Sequence, residues 1–143
     1  MGSSTIIISA TQGVPGPTGP QGPQGLSGAS APIVYTAGET LGGHRGVILS
    51  NSTAIYADST ILAHADKLIG INTDATLLGD IAYIRTSGEL EGFTGLTINS
   101  KVYLQSNGVL TSTIPTTGFI QQVGIALTST KILINIQPSI VIG

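Results

Sequence analysis

The chain has 143 residues with no cysteine and no tryptophan, and only 8% of it is charged, far below the roughly 25% of an ordinary soluble domain. Five basic against seven acidic residues give a net charge of −2, which offers no basic field to a nucleic acid and no polybasic patch to a membrane. Hydrophobic residues still make up 41%, so the apolar surplus points to surface buried between subunits.

Residues 1–12 read as a short anchor arm. Its apolar run is Ile6, Ile7 and Ile8, costly to leave in water, and it lies in a strand-prone stretch (STIIIS). The alternative is a frayed terminus; an arm that adds to a larger assembly makes better use of three consecutive isoleucines. The arm lacks the basic start of a secretory signal, and Ile6 stands where a myristoylation motif needs Ser or Thr. No stretch approaches the roughly 20 apolar residues of a membrane span. No charged residue occurs before Glu39.

Residues 13–30 read GVP-GPT-GPQ-GPQ-GLS-GAS, with a glycine opening every triplet: Gly13, Gly16, Gly19, Gly22, Gly25 and Gly28. Strict period three with interleaved proline predicts a collagen-like triple helix, because only glycine fits where three chains cross one crowded axis. A flexible linker would keep the composition without needing the period. At about 3 Å per residue the stalk would be roughly 50 Å long. Its last two triplets, Gly25 to Ser30, lack proline, so a trimer would need clamping from elsewhere.

Residues 31–43 read as a junction containing a short strand at Ile33–Thr36, and residues 44–143 as an all-β head, a small barrel or sandwich. Strands are expected at Gly46–Leu49, Ala54–Ala57, Lys67–Ile71, Asp80–Thr86, Lys101–Gln105, Ile120–Leu127, Lys131–Ile136 and Ser139–Ile142, with one helical turn within Thr60–Asp66. Two internal echoes support a head built from similar hairpins. Residues 81–90 match 101–110 at an offset of 20, sharing Tyr, Gly and Leu, and each copy reads as strand, turn and return strand. Ile69-Gly70-Ile71 also matches Val123-Gly124-Ile125. In the C-terminal strands Ile132, Ile134 and Ile136 point one way and Leu133 and Asn135 the other, so one face is apolar and the other mostly so. That pattern assigns Ile132, Ile134, Ile136, Ile140 and Ile142 to a homotrimer interface.

Chemistry is sparse. Glu89 and Glu91 flank Leu90 on one strand, so both face the same way, as on a solvated surface. His44 and His64 are 20 residues apart and lack metal-ligand spacing. His64 stands near Asp58 and Asp66, yet a surface or interface histidine explains it without catalysis. No nucleophile elbow, phosphate loop or dinucleotide fingerprint occurs. The sequence therefore reads as a non-enzyme without a cofactor. A three-fold axis could still triple a single His or Asp into an ion site.

From residue 44 onward the chain resembles a small β domain at the C-termini of fibre and decoration proteins of tailed bacteriophages and prophages. The resemblance rests on Ala63-His64-Ala65 leading into Leu68-Ile69-Gly70-Ile71, and on Ser87-Gly88-Glu89-Leu90-Glu91. It continues through Val102-Tyr103-Leu104 with Asn107-Gly108, residues 118–127 (GFIQQVGIAL) and Ile136-Gln137-Pro138-Ser139-Ile140-Val141. It implies a virion structural protein with a trimeric head on a collagen-like stalk, held by its arm to the capsid or another virion protein. The short segment before the stalk favours a head fibre or capsid decoration over the receptor-binding tip of a tail fibre. Ser, Thr and Asn in the turns would suit host or surface glycans. A collagen-like bacterial or spore surface protein is the other reading, to which the hairpin echo is foreign.

Overall fold

The computed structural model describes residues 31–142. The expected anchor at Ile6, Ile7 and Ile8 and the stalk glycines Gly13, Gly16, Gly19, Gly22, Gly25 and Gly28 lie outside the described residues. Twelve short strands follow one another: β1 Ile33–Thr36, β2 Arg45–Ser50, β3 Thr53–Tyr56, β4 Gly70–Asn72, β5 Ile81–Arg85, β6 Gly88–Glu91, β7 Lys101–Leu104, β8 Leu110–Thr111, β9 Phe119–Ile120, β10 Gln122–Ala126, β11 Lys131–Ile134 and β12 Ile140–Val141. Single 3-10 turns lie at Leu62–His64, inside the expected helical turn, and at Ser106–Gly108. The described chain is all-β with antiparallel ladders, as expected: β1-β5-β4-β2-β3, then β6-β11-β10-β7-β8, and the pair β12-β9.

The first sheet curls until its edges meet. Just past β1, Ala37 bridges Ala54 of β3 in parallel, and the Gly38 N–H donates to the Ala54 carbonyl at 2.7 Å. Ala37, Leu41, Val47, Ala54, Ala82 and Ile84 fill the small interior. Such a narrow closed sheet has room only for side chains. Residues 33–43 thus belong to the first sheet, so the β unit does not begin at His44: β1 pairs with β5, and Ala37 and Leu41 are 1% exposed.

The two large sheets share one topology. Matching β1, β2, β3, β4 and β5 to β6, β7, β8, β10 and β11 reproduces the strand order of each. The registers agree as well. Val47 opposite Gly70 corresponds to Val102 opposite Gly124, and Leu49 opposite Ala54 to Leu104 opposite Leu110. Asn72 opposite Ile84 corresponds to Ala126 opposite Ile132, and Ile33 opposite Ile84 to Leu90 opposite Ile132. Even the turns match. The His44 N–H donates to the Asn72 carbonyl and the Asn99 N–H to the Ala126 carbonyl, both at 2.8 Å, from left-handed residues with φ of 60° and 66°. The β unit is a tandem repeat of one five-strand module, about 33–85 and 88–134, with β9 and β12 added to the second copy.

The second module stays open. Its inner face (Leu90, Val102, Leu104, Leu110, Ile132, Ile134) packs with Ile48, Leu68 and Ile71 in one core. Ile71 lies opposite Arg85, on the face of the first sheet turned away from Ile84. One module's outer wall is therefore the other's floor.

Several expectations need correction. The echo at an offset of 20 is not a pair of hairpins: β7 and β8 pair, but β5 and β6 lie in different sheets, because the chain crosses between modules at Thr86-Ser87. The echo around Gly70 and Gly124 falls on truly equivalent strands. The expected strand at 120–127 breaks at Gln121, which is buried, into β9 and β10. Lys67–Ile69 is irregular chain leading from the Ala65-Asp66 turn into β4: the Lys67 N–H closes that turn on the His64 carbonyl, and only the Ile69 N–H reaches β2, at the Val47 carbonyl.

Candidate functional site

The titratable groups serve as joints between turns. The His44 Nε2 donates to the Glu91 carbonyl at 2.9 Å, and its ring meets Phe93 edge-on with centroids 5.2 Å apart. That contact ties the first module to the second. The His64 Nδ1 accepts the Asp58 N–H at 3.1 Å. Partial burial opposes ionisation of Asp58, but bonds from the Thr60 hydroxyl and N–H and the Asn107 N–H, with His64 nearby, hold its carboxyl below the ordinary value. Glu89 and Glu91 share the exposed side of β6, as expected. Glu89 pairs with Lys131 at 3.4 Å, and Glu91 accepts from the Thr130 hydroxyl. Among the described residues no three His, Asp or Glu side chains gather as a metal set. No helix among them is long and apolar enough to cross a membrane.

Two surface features stand apart from this turn chemistry. The first is the outer face of β1 and β5. Ile33 and Tyr35 lie opposite Ile84 and Ala82 toward the interior, which turns Val34, Thr36, Ile81 and Tyr83 outward. Val34, Ile81 and Tyr83 are 50–52% exposed and adjacent across the ladder, Val34 directly opposite Tyr83. Leu77 and Leu78, each 66% exposed, extend this apolar end on a turn whose Gly79 N–H is held by the Ala37 carbonyl. Isolated apolar residues on a surface are ordinary; here Val34, Ile81 and Tyr83 adjoin one another across two strands, between Asp80 and Arg85 at the two ends of β5. The sequence signal was present: β1 (IVYT) and β5 (IAYIR) carry large apolar residues in both phases of the alternation.

The second feature is a groove of about 410 Å³ between the outer side of β7 and β10 and the C-terminal segment. Lys101, Tyr103, Gln122 and Gln137 line it with Ile120 and Ile140. Tyr103 and Gln122 are ladder partners, and the Gln137 N–H donates to the Gln122 carbonyl at 3.0 Å, which fixes the C-terminal segment along the groove.

The five isoleucines assigned to a subunit interface do not form one face. Ile132 and Ile134 are 0% and 4% exposed within the single chain, where they fill the core of the second module, so they have no surface to offer a partner. Ile136 packs against that core. Only Ile140, 66% exposed beside Val141, and the half-buried Ile142 retain accessible surface. Comparison with protein-family models and with curated protein sequences yields no match.

Proposed function

We propose that this chain is a structural protein of a virion surface: a homotrimer whose collagen-like stalk (Gly13 to Ser30) displays the β unit, with the arm at residues 1–12 engaging the capsid or another virion protein. One observation carries the reading. Six Gly-X-Y triplets, opened by Gly13, Gly16, Gly19, Gly22, Gly25 and Gly28, end at Ser30, three residues before a strand whose outer face is apolar and uncharged. A triple helix must deliver three copies of that strand to one place. The phage-fibre resemblance of residues 44–143 supplies the virion setting. Native mass measurement of the full chain tests the assembly, with three subunits expected; a stable monomer would sink it. Labelling of intact particles tests the location, and its absence from purified virions would refute that part.

A second reading, attachment to surface glycans, is favoured by the groove, where the Tyr103 ring stands among amides and the Lys101 ammonium. Sugar sites combine an aromatic platform with a few placed polar groups. Full-length protein should bind susceptible cells and lose that binding in Tyr103→Ala; equal binding by both would dismiss the groove.

A further inference from the structure

We infer that the outer face of β1 and β5, centred on Val34, Ile81 and Tyr83, is the three-fold seam, and that its occupant is two further copies of this chain. The inference rests on the trimeric reading above and deepens it by naming the face.

Position comes first. The last glycine of the repeat is Gly28, and β1 begins at Ile33. From Ser30 to Ile33 an extended chain spans at most about 10 Å. Three chains leaving one triple helix therefore carry their three β1 strands away from its axis by no more than that distance. Other exposed apolar groups lack this tether: Leu62, Ile98 and Ile114 all lie far along the chain from the repeat.

Chemistry agrees with position. A cyclic assembly around one axis brings three copies of each axial residue together, so a charge there would meet its own image. Val34, Thr36, Ile81 and Tyr83 at the centre of the face are neutral, and the chain has no charged residue before Glu39. The charges on this side lie at the two ends of β5: Asp80 just before it, and Arg85 at its close, whose guanidinium donates to the Glu89 carbonyl at 3.1 Å. The opposite part of the same outer wall, around Ile48 and Ile71, is already covered by the second module. The β1–β5 side is the uncovered remainder. With two proline-free triplets adjoining it, the seam also supplies the clamp that the stalk needs at that end.

Because the chain contains no cysteine, a single Val34→Cys in the full-length protein reports the seam directly. Under mild oxidation each disulfide can join two of the three subunits of a trimer, leaving the third free. Denaturing gels should show covalent dimer together with monomer, whereas Ile98→Cys at the same concentration should remain monomer. Val34→Glu should in parallel shift the native mass from trimer toward monomer on dilution, and Ile98→Glu should not. A native trimer that neither cross-links in Val34→Cys nor dissociates in Val34→Glu would overturn the seam while leaving the trimeric reading intact. Equal cross-linking at position 98 would do the same. A monomeric parent protein would overturn both.

Discussion

The tandem-module reading makes its sharpest demand at two glycines. Gly124 sits in β10, and a Cβ built there would lie 2.2 Å from the Leu133 carbonyl oxygen of β11; at Gly70 the Arg85 carbonyl oxygen of β5 would be 2.4 Å away. Neither glycine has a left-handed φ, so alanine is refused by space and not by conformation. Relief requires the neighbouring strand to retreat by roughly an ångström, in the middle of a five-strand ladder. Overpacking of this kind costs about 1–3 kcal/mol, with about 1 kcal/mol more for each ladder bond it breaks. The reduced freedom of the unfolded chain returns about 0.4–1 kcal/mol. A net loss of roughly 2 kcal/mol should lower the melting temperature by about 10 °C in a unit of this size. Circular-dichroism melts and urea titrations of Gly124→Ala and Gly70→Ala should show this loss in both. Gly42→Ala, whose nearest contact would be an ordinary 3.4 Å, should stay within about 0.5 kcal/mol of the parent. If Gly124→Ala melts within a degree or two of the parent, or Gly42→Ala falls as far, the argument from close strand approach fails.

Two further outcomes follow from buried polar joints. Asn72 is fully buried; its Oδ1 accepts the Arg45 N–H, and its Nδ2 donates to the Gly42 and Asp74 carbonyls. Asn72→Leu removes the partners of the Arg45 N–H and the Gly42 carbonyl, while the Asp74 carbonyl keeps the Thr76 hydroxyl at 2.9 Å. It should cost about 2 kcal/mol in urea unfolding, at about 1 kcal/mol for each group that loses its partner; a loss below about 0.5 kcal/mol would refute the role. Asp58 has a folded-state pKa below its ordinary 3.8, so its stabilisation is complete above that value and disappears as pH falls through the lower, folded-state value. The urea midpoint of the parent should therefore drop between about pH 5 and pH 3 by more than that of Asp58→Asn; equal drops would contradict the assignment.

Much of the fold was legible in the sequence, because β-branched runs and turn residues act locally. Ile33–Thr36 is a strand with its expected bounds, and the Asn51-Ser52 turn has the two positive φ values of a tight hairpin. What the sequence hid was non-local. Residues 81–90 and 101–110 look alike since each joins two strands through a Ser-Gly or Asn-Gly turn. Yet β5 and β7 occupy different places in their modules, and only pairing partners reveal it. The three-residue echo around Gly70 and Gly124 was the true signal, because close strand approach demands glycine at one register position in each copy. The C-terminal isoleucines misled for a related reason. An apolar strand announces burial but not by what, and Ile132 and Ile134 are covered by their own chain. The apolar face on β1 and β5 was visible as a double-phase apolar pattern, but its exposure depends on how far the second module reaches over the first.

That reach traces to one pair of equivalent positions. Ala54 lets β3 come close enough to bridge Ala37, and the first module seals its own interior. The corresponding residue is Leu110, whose larger side chain lies in the shared core. Among the described residues no bridge joins β8 back to β6, and the second sheet stays open. An open sheet must find a floor for its apolar face, and it takes the β2–β4 part of the first module's outer wall. Such stacking is head-to-tail, and a head-to-tail contact leaves one unmatched face at each end. At the far end the two strands without counterparts, β9 and β12, bring the C-terminal segment alongside β7 and β10 and form the groove. At the near end nothing among the described residues covers Val34, Ile81 and Tyr83. The proposed seam is thus the face that module stacking leaves over, on the strand nearest the Gly-X-Y run.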